Sequence, residues 1–180
     1  TDKNEKIRFN LLIKKTDPLL SKDEVEKIKR QIELSKLAIN EIVKKPVKIK
    51  PKAPFITSTL QQSASTRLGF NVKRTMRVAQ KLYEGGLITY MRTDAPSLSK
   101  DSINEARKFV SENIGENYLT NSPRIYSGSE NAQEAHEAIR PTNSFLRPKD
   151  VMNLSEEELN LYSLIWERFI ASQLPDAEYL

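Results

Sequence analysis

Glycines set the punctuation in the middle of this chain. Gly69 ends a run of residues 58–68, and the pair Gly85-Gly86 ends a second run of residues 72–84. Glycine accepts the left-handed backbone that closes a helix, so each is a natural stop. Asn71 carries a side-chain oxygen that can cap the first-turn amides of a new helix. Two short helices joined by a tight turn are therefore expected. Val72, Met76, Ala79, Leu82 and Tyr83 are expected on the inward side of the second. After the glycine pair comes Leu87-Ile-Thr-Tyr-Met-Arg-Thr-Asp94, a β-branched and aromatic run of the kind that forms a strand. Side chains on a strand alternate between faces, so Tyr90, Arg92 and Asp94 are expected to project to one side.

A phenol beside a guanidinium suits attack on a phosphodiester. The phenol oxygen is a nucleophile, and the guanidinium grips two phosphate oxygens at once and offsets developing charge. A half-buried core tyrosine next to a solvated arginine is the plainer reading of the same eight residues. The order helix, turn, helix, strand is also that of a winged-helix unit, whose second helix meets DNA. Arg67, Lys73, Arg74, Arg77, Lys81 and Arg92 cluster around this segment, and Arg74 and Arg77 are candidate DNA contacts. Paired helices with a glycine turn occur equally in proteins with no nucleic-acid role.

The flanks read as follows. Residues 7–14 alternate as a strand, and Asp17-Pro18 marks a turn. Ser21 with Glu24 forms a capping box for a helix expected to reach about residue 40. Residues 39–50 alternate again, with Pro46 suggesting a sheet edge. Pro51-Lys-Ala-Pro54 is a stiff linker and a natural boundary. Ser99 caps a helix to about Asn113, and a long irregular stretch covers 115–131. Residues 133–139 are expected as a short helix ended by Pro141. Ser155, followed by three glutamates, opens a final helix whose apolar side is Leu159, Tyr162, Leu164, Ile165, Trp166, Phe169 and Ile170. Trp166 is read as core in that aliphatic company, with a base-stacking platform as the alternative.

Charge sharpens the picture. The net charge is +5, but residues 1–55 hold 15 Lys/Arg against 8 Asp/Glu, residues 56–94 hold 6 against 2, and residues 95–180 hold 8 against 14. A basic front with an acidic back is one footprint of a polyanion binder; scattered lysines that only solvate a surface are the other reading of the first 50 residues. There is no cysteine and one histidine, His136, which leaves no metal site of the usual Cys/His type. No apolar run approaches the roughly 18 residues of a membrane span, and no signal-peptide pattern opens the sequence.

Three stretches in order carry a resemblance: Pro54-Phe-Ile-Thr-Ser-Thr-Leu-Gln-Gln62, Leu87-Ile-Thr-Tyr-Met-Arg-Thr-Asp94 and Gln133-Glu-Ala-His-Glu-Ala-Ile-Arg-Pro-Thr142. Together they resemble the type IA DNA topoisomerases, from about Ala53 to Gln173. Met91 between Tyr90 and Arg92 is similar to the bacterial topoisomerase I branch; topoisomerase III enzymes usually have proline there. Ala95 departs from the serine that usually follows Arg-Thr-Asp.

The resemblance implies a mainly helical fold with small β elements: a multi-helical central domain with a winged-helix-like unit, plus a β-containing piece of an arch domain. It implies a partial arch (strand, helix, strand) at 1–52, a tyrosine domain at 53–174 and a return towards the arch at 175–180. It implies ATP-independent relaxation of negatively supercoiled DNA, with Tyr90 attacking a single-strand phosphate to give a 5′-phosphotyrosine and a free 3′-hydroxyl. Arg92 would sit on the scissile phosphate. His136 would help hold the backbone, against the plainer reading of a hydrogen-bonded structural histidine, and Arg140 would lie with it, four residues on along the short helix. Gln80, Glu84, Thr89, Thr93 and Asp94 match further positions around the site. Mg²⁺ is expected in the whole enzyme, on ligands outside this chain. The implied partners are single-stranded and negatively supercoiled DNA and further domains of the same polypeptide, with no membrane, in the bacterial cytoplasm at the nucleoid. The chain itself is expected to be an inactive fragment.

Overall fold

The computed structural model describes residues 20–35, 43–126 and 136–179. The chain divides into two compact units, Thr1–Lys44 and Lys45–Leu180. The described residues are mostly helical, with five α-helices and one two-stranded sheet.

In the first unit, helix α1 spans Lys22–Leu34. Its capping box is present: the Glu24 amide donates to Ser21 Oγ, and the Ser21 amide donates to Glu24 Oε2 at 2.7 Å. The helix ends earlier than the expected residue 40, because Ser35 turns extended and its N–H closes on Ile32. The expected strand at 7–14 lies outside the described residues.

The second unit holds the rest. Strand β1 (Val47–Ile49) pairs antiparallel with β2 (Ala177–Tyr179), bringing the two ends of the unit side by side. Between them run α2 (Thr57–Leu68), α3 (Val72–Glu84), α4 (Lys100–Asn113) and α5 (Glu156–Ser172). Gly69 closes α2 at φ 67°, and the Asn71 side chain accepts from the Arg74 amide to start α3. The inward stripe of α3 is Thr75, Val78, Ala79 and Leu82, the i, i+3, i+4, i+7 face of a helix. Val72 and Tyr83, expected inside, are exposed; at about 100° per residue both fall just past the same edge of that stripe.

One core gathers Phe55, Leu60, Val78, Leu82, Ile88, Met91, Ile139, Tyr162 and Ile165, and a second gathers Ala106, Phe109, Val110, Phe169 and Ile170. Trp166 packs on both, donates its indole N–H to the Ser144 carbonyl at 3.0 Å and meets Phe109 edge-on. Its place is structural.

Among the described residues, two expected elements are not found. Residues 87–94 form no strand beyond one bridge, Ile88 to Pro141. The described part of 133–139 is extended rather than helical, with a bridge from Ile139 to Phe55. The Thr89 and Thr93 amides go to Arg140 and Thr57, and the Ala138 and Ile139 amides to Ser97 and Phe55, so neither segment builds a ladder or a helical turn.

Candidate active site

The Tyr90 segment is held at both ends by threonines. On one side the Thr89 amide donates to the Arg140 carbonyl at 2.9 Å, the Thr89 hydroxyl donates to the Ala138 carbonyl at 2.7 Å, and the Arg140 amide donates back to that hydroxyl oxygen at 3.0 Å. On the other side the Thr57 amide donates to the Thr93 carbonyl at 2.9 Å and the Thr93 amide donates to Thr57 Oγ1 at 2.9 Å. The Thr57 hydroxyl is also within 2.9 Å of the Met91 carbonyl. Between these ties the side chains alternate. Met91, Thr93 and Ala95 are buried, whereas Tyr90, Arg92 and Asp94 are exposed. The shared face expected of a strand is present without the strand, fixed by tertiary hydrogen bonds.

Tyr90 is 46% exposed and meets Tyr83, 40% exposed, ring edge to ring face at 5.3 Å. That contact sets the phenol at the end of α3 and leaves it open to solvent. Arg92, Thr93, Asp94 and His136 line a cleft of about 550 Å³ with Ile56, Thr57, Ser58 and Gln61 from the start of α2. Thr89, Tyr90, Thr93, His136 and Glu137 line a smaller recess of about 130 Å³. His136 and Thr93 belong to both, so the Tyr90 recess and the Arg92 cleft share a wall. A helix N-terminus at the cleft adds partial positive charge suited to an anion.

Glu137, which sequence reasoning passed over, anchors this wall. Its carboxylate accepts from Arg140 Nε and Nη2, both at 2.9 Å, from the Ser99 amide at 2.9 Å and from the Ser102 hydroxyl at 3.1 Å. Burial pushes the Glu137 carboxyl up, but the Arg140 guanidinium and the Ser99 and Ser102 donors together hold it below its ordinary value. Arg140 is thereby turned inward, also donating to the Pro141 carbonyl. It does not share a helical face with His136; the helix that would have aligned them is absent.

The other expected residues lie apart from the cleft. Gln80 and Glu84 hydrogen-bond to each other at 2.7 Å one turn apart on α3, and neither lines the cleft or the recess. Arg74 pairs with Glu157 at 2.6 Å, Arg77 approaches the same carboxylate at 3.7 Å, and Lys81 meets Glu158 at 3.2 Å. The basic side of α3 is thus laid against the acidic first turn of α5. Among the described residues, no three His, Cys, Asp or Glu side chains stand together so as to hold a metal ion. No described helix is long and apolar enough to cross a membrane.

A solvent-open phenol lines the recess, and a guanidinium and an imidazole line the cleft at a helix N-terminus, groups of the kind that can attack and grip a phosphate. The sequence profile of the family described as DNA topoisomerase matches residues 2–180. DNA topoisomerase 1 of Haemophilus influenzae is 48% identical over 166 residues, 92% of this chain and 19% of that protein. DNA topoisomerase 1 of Escherichia coli is 47% identical over 160 residues, 89% of this chain and 18% of that protein. The structure of full-length topoisomerase I from Thermotoga maritima matches with a TM-score of 0.70 at 40% identity, over 85% of this chain and 26% of that one. The chain belongs to the type IA DNA topoisomerase family and spans about a fifth of the length of these curated relatives.

Proposed function

We propose that this chain carries the nucleophile of an ATP-independent type IA topoisomerase that relaxes negatively supercoiled DNA. Tyr90 Oη attacks a phosphorus in a single DNA strand. The phenol gives up its proton as the O–P bond to the tyrosine forms, P–O3′ breaks, and the leaving 3′ oxygen takes up one proton to become a hydroxyl, so the step is proton-neutral. Reversal reseals the strand, because the phosphotyrosine conserves the bond. Arg92 takes two non-bridging oxygens and offsets the added charge in the transition state. His136 supplies a further donor from the wall between the recess and the cleft. Asp94, on the same exposed face, stands in the cleft. The observation that carries this reading is that His136 and Thr93 line both the Tyr90 recess and the Arg92 cleft, so one phosphate can be reached from both sides.

In this proposal residues 1–52 belong to an arch, 53–174 to the tyrosine domain and 175–180 to the return towards the arch. Mg²⁺ is held by carboxylates elsewhere in the polypeptide. Gate opening is a motion of the tyrosine domain relative to the domain that holds them.

The test is covalent trapping. A polypeptide of the relatives' length that carries this chain is mixed with a short single-stranded oligonucleotide and quenched with denaturant. The native protein should yield a protein–DNA adduct on a 5′-phosphate, and Tyr90→Phe should yield none while melting like the native protein. A normal adduct from Tyr90→Phe removes Tyr90 as nucleophile. No adduct from the native protein favours a DNA-binding module without chemistry.

A further inference from the structure

Away from the tyrosine, a second recess of about 270 Å³ is lined by Lys52, Gln62, Ser63, Thr66, Arg67 and Arg168. It contains three cations, two hydroxyls and an amide, and no carboxylate. None of Lys52, Arg67 and Arg168 has an acidic partner among the described residues. This contrasts with α3, where Arg74 and Lys81 each meet a glutamate.

Arg168 is built into place. Its guanidinium lies 4.3 Å over the Phe55 ring and donates to the Ala53 carbonyl at 3.4 Å. These contacts fix one side of the group and leave its charge uncompensated beside Arg67. Burial, then the neighbouring Arg67 charge, push the Arg168 guanidinium below its ordinary value, the direction expected where like charges are brought together without a counter-ion.

We propose that this recess is a second phosphate-binding site, which takes a backbone phosphate of a DNA segment other than the one at Tyr90. The inference rests on the reading above that the chain handles DNA. The separation follows from helix geometry. Residues 57, 58 and 61 of α2 line the tyrosine cleft, whereas 62, 63, 66 and 67 line the cationic recess. At about 100° per residue the two sets lie roughly half a turn apart around the helix axis. A strand seated at Tyr90 would have to pass around α2 to reach Arg67. Two guanidinium groups, a flexible ammonium and two hydroxyls match the several oxygens of a phosphodiester better than a single carboxylate.

The experiment uses a polypeptide of the relatives' length carrying the paired substitution Lys52→Gln and Arg67→Gln. Both side chains are exposed, and Arg168 stays intact because it packs on Phe55. Binding of a long single-stranded DNA is measured across a salt series. Losing this one phosphate contact should make the slope of log affinity against log salt shallower by about 0.7. Adduct formation on an oligonucleotide only long enough to fill the tyrosine cleft should be unchanged. An unchanged slope with a normal adduct overturns the second site and leaves the tyrosine reading standing. Lack of any adduct in the unsubstituted protein strikes the tyrosine reading, while the slope still decides the recess. Adding inorganic phosphate alone and following amide shifts of residues 62–67 separates the sources: shifts with phosphate but an unchanged DNA slope make this a small-anion pocket and overturn the proposal.

Discussion

Thr57→Val tests whether the Tyr90–Arg92 geometry is fixed from the start of α2. The substitution keeps the shape of the side chain and removes its hydroxyl. In the native structure that oxygen accepts from the Thr93 amide at 2.9 Å and its proton reaches the Met91 carbonyl at 2.9 Å. Losing the donor removes one hydrogen bond, with a net worth of about 0.5–1.5 kcal/mol. Losing the acceptor strands the amide of a residue only 7% exposed, at about 1–3 kcal/mol. Thr57 is itself part-exposed, and water can relieve some of this, so about 2 kcal/mol is expected. That corresponds to roughly 4–8 °C in Tm for a domain of this size. The functional effect is the sharper readout. Arg92 sits between the two backbone groups that Thr57 ties, and a misplacement of about 1 Å can cost about a hundredfold in rate. Single-turnover adduct formation should fall about 10- to 100-fold with DNA affinity little changed, and Thr57→Ser, which keeps the hydroxyl, should recover most of it. A Thr57→Val protein with native melting and a native adduct rate refutes the reasoning.

Arg92→Lys should slow cleavage by more than its retained charge suggests, costing about 2–4 kcal/mol of transition-state stabilisation in the trapped-adduct assay. Glu137→Ala should lower stability by about 2–3 kcal/mol in urea titration, since it strands the largely buried Arg140 guanidinium. The Glu137 carboxyl sits below its ordinary value when folded, so its contribution is present above the unfolded-state value of about 4.5 and is lost as pH falls through the folded one; the native protein's acid-side melting should flatten in Glu137→Gln. Glu157→Gln should free Arg74 and Arg77, raising single-strand affinity and steepening its salt slope, and no change would return both arginines to a solvated face. The 180-residue chain alone should leave a supercoiled plasmid supercoiled in Mg²⁺ on an agarose gel.

Local rules read the helices well because their signals are local. Asn71 and the capping boxes at Ser21 and Ser155 close within three residues, and Gly69 needs only its own φ. The α3 interior was offset because a bare apolar pattern weighs Val72 and Tyr83 like any hydrophobe, whereas α2 and α5 press on the stripe that includes Thr75. Residues 87–94 and 133–139 misled for the opposite reason. Their composition suits a strand and a helix, but their amides and carbonyls are bonded to partners 34 (Thr57 to Met91) to 84 (Phe55 to Ile139) residues away, and no local pattern registers a partner at that distance.

The same distinction separates the parts of the site. Tyr90 and Arg92 stood out by their chemistry, since few residue types can attack or grip a phosphate, whereas His136 stood out only as part of a resemblance. Thr89 and Thr93 were legible only as positions in a resemblance; their work is to hold backbone. Glu137 and Thr57 carried no signal of their own, because a carboxylate four-fold hydrogen-bonded in a loop and a threonine at a helix start look ordinary in sequence. Arg74 and Arg77 show the converse. A cluster of cations in sequence states how much charge a segment carries and nothing about where it is spent, and on α3 the acidic first turn of α5 takes it. Lys52, Arg67 and Arg168, spread over 117 residues of chain, form no cluster in sequence and yet share one recess without a carboxylate. A DNA-handling surface is therefore better sought in unneutralised charge than in total charge, and on this chain that criterion selects the back of α2 over the basic side of α3.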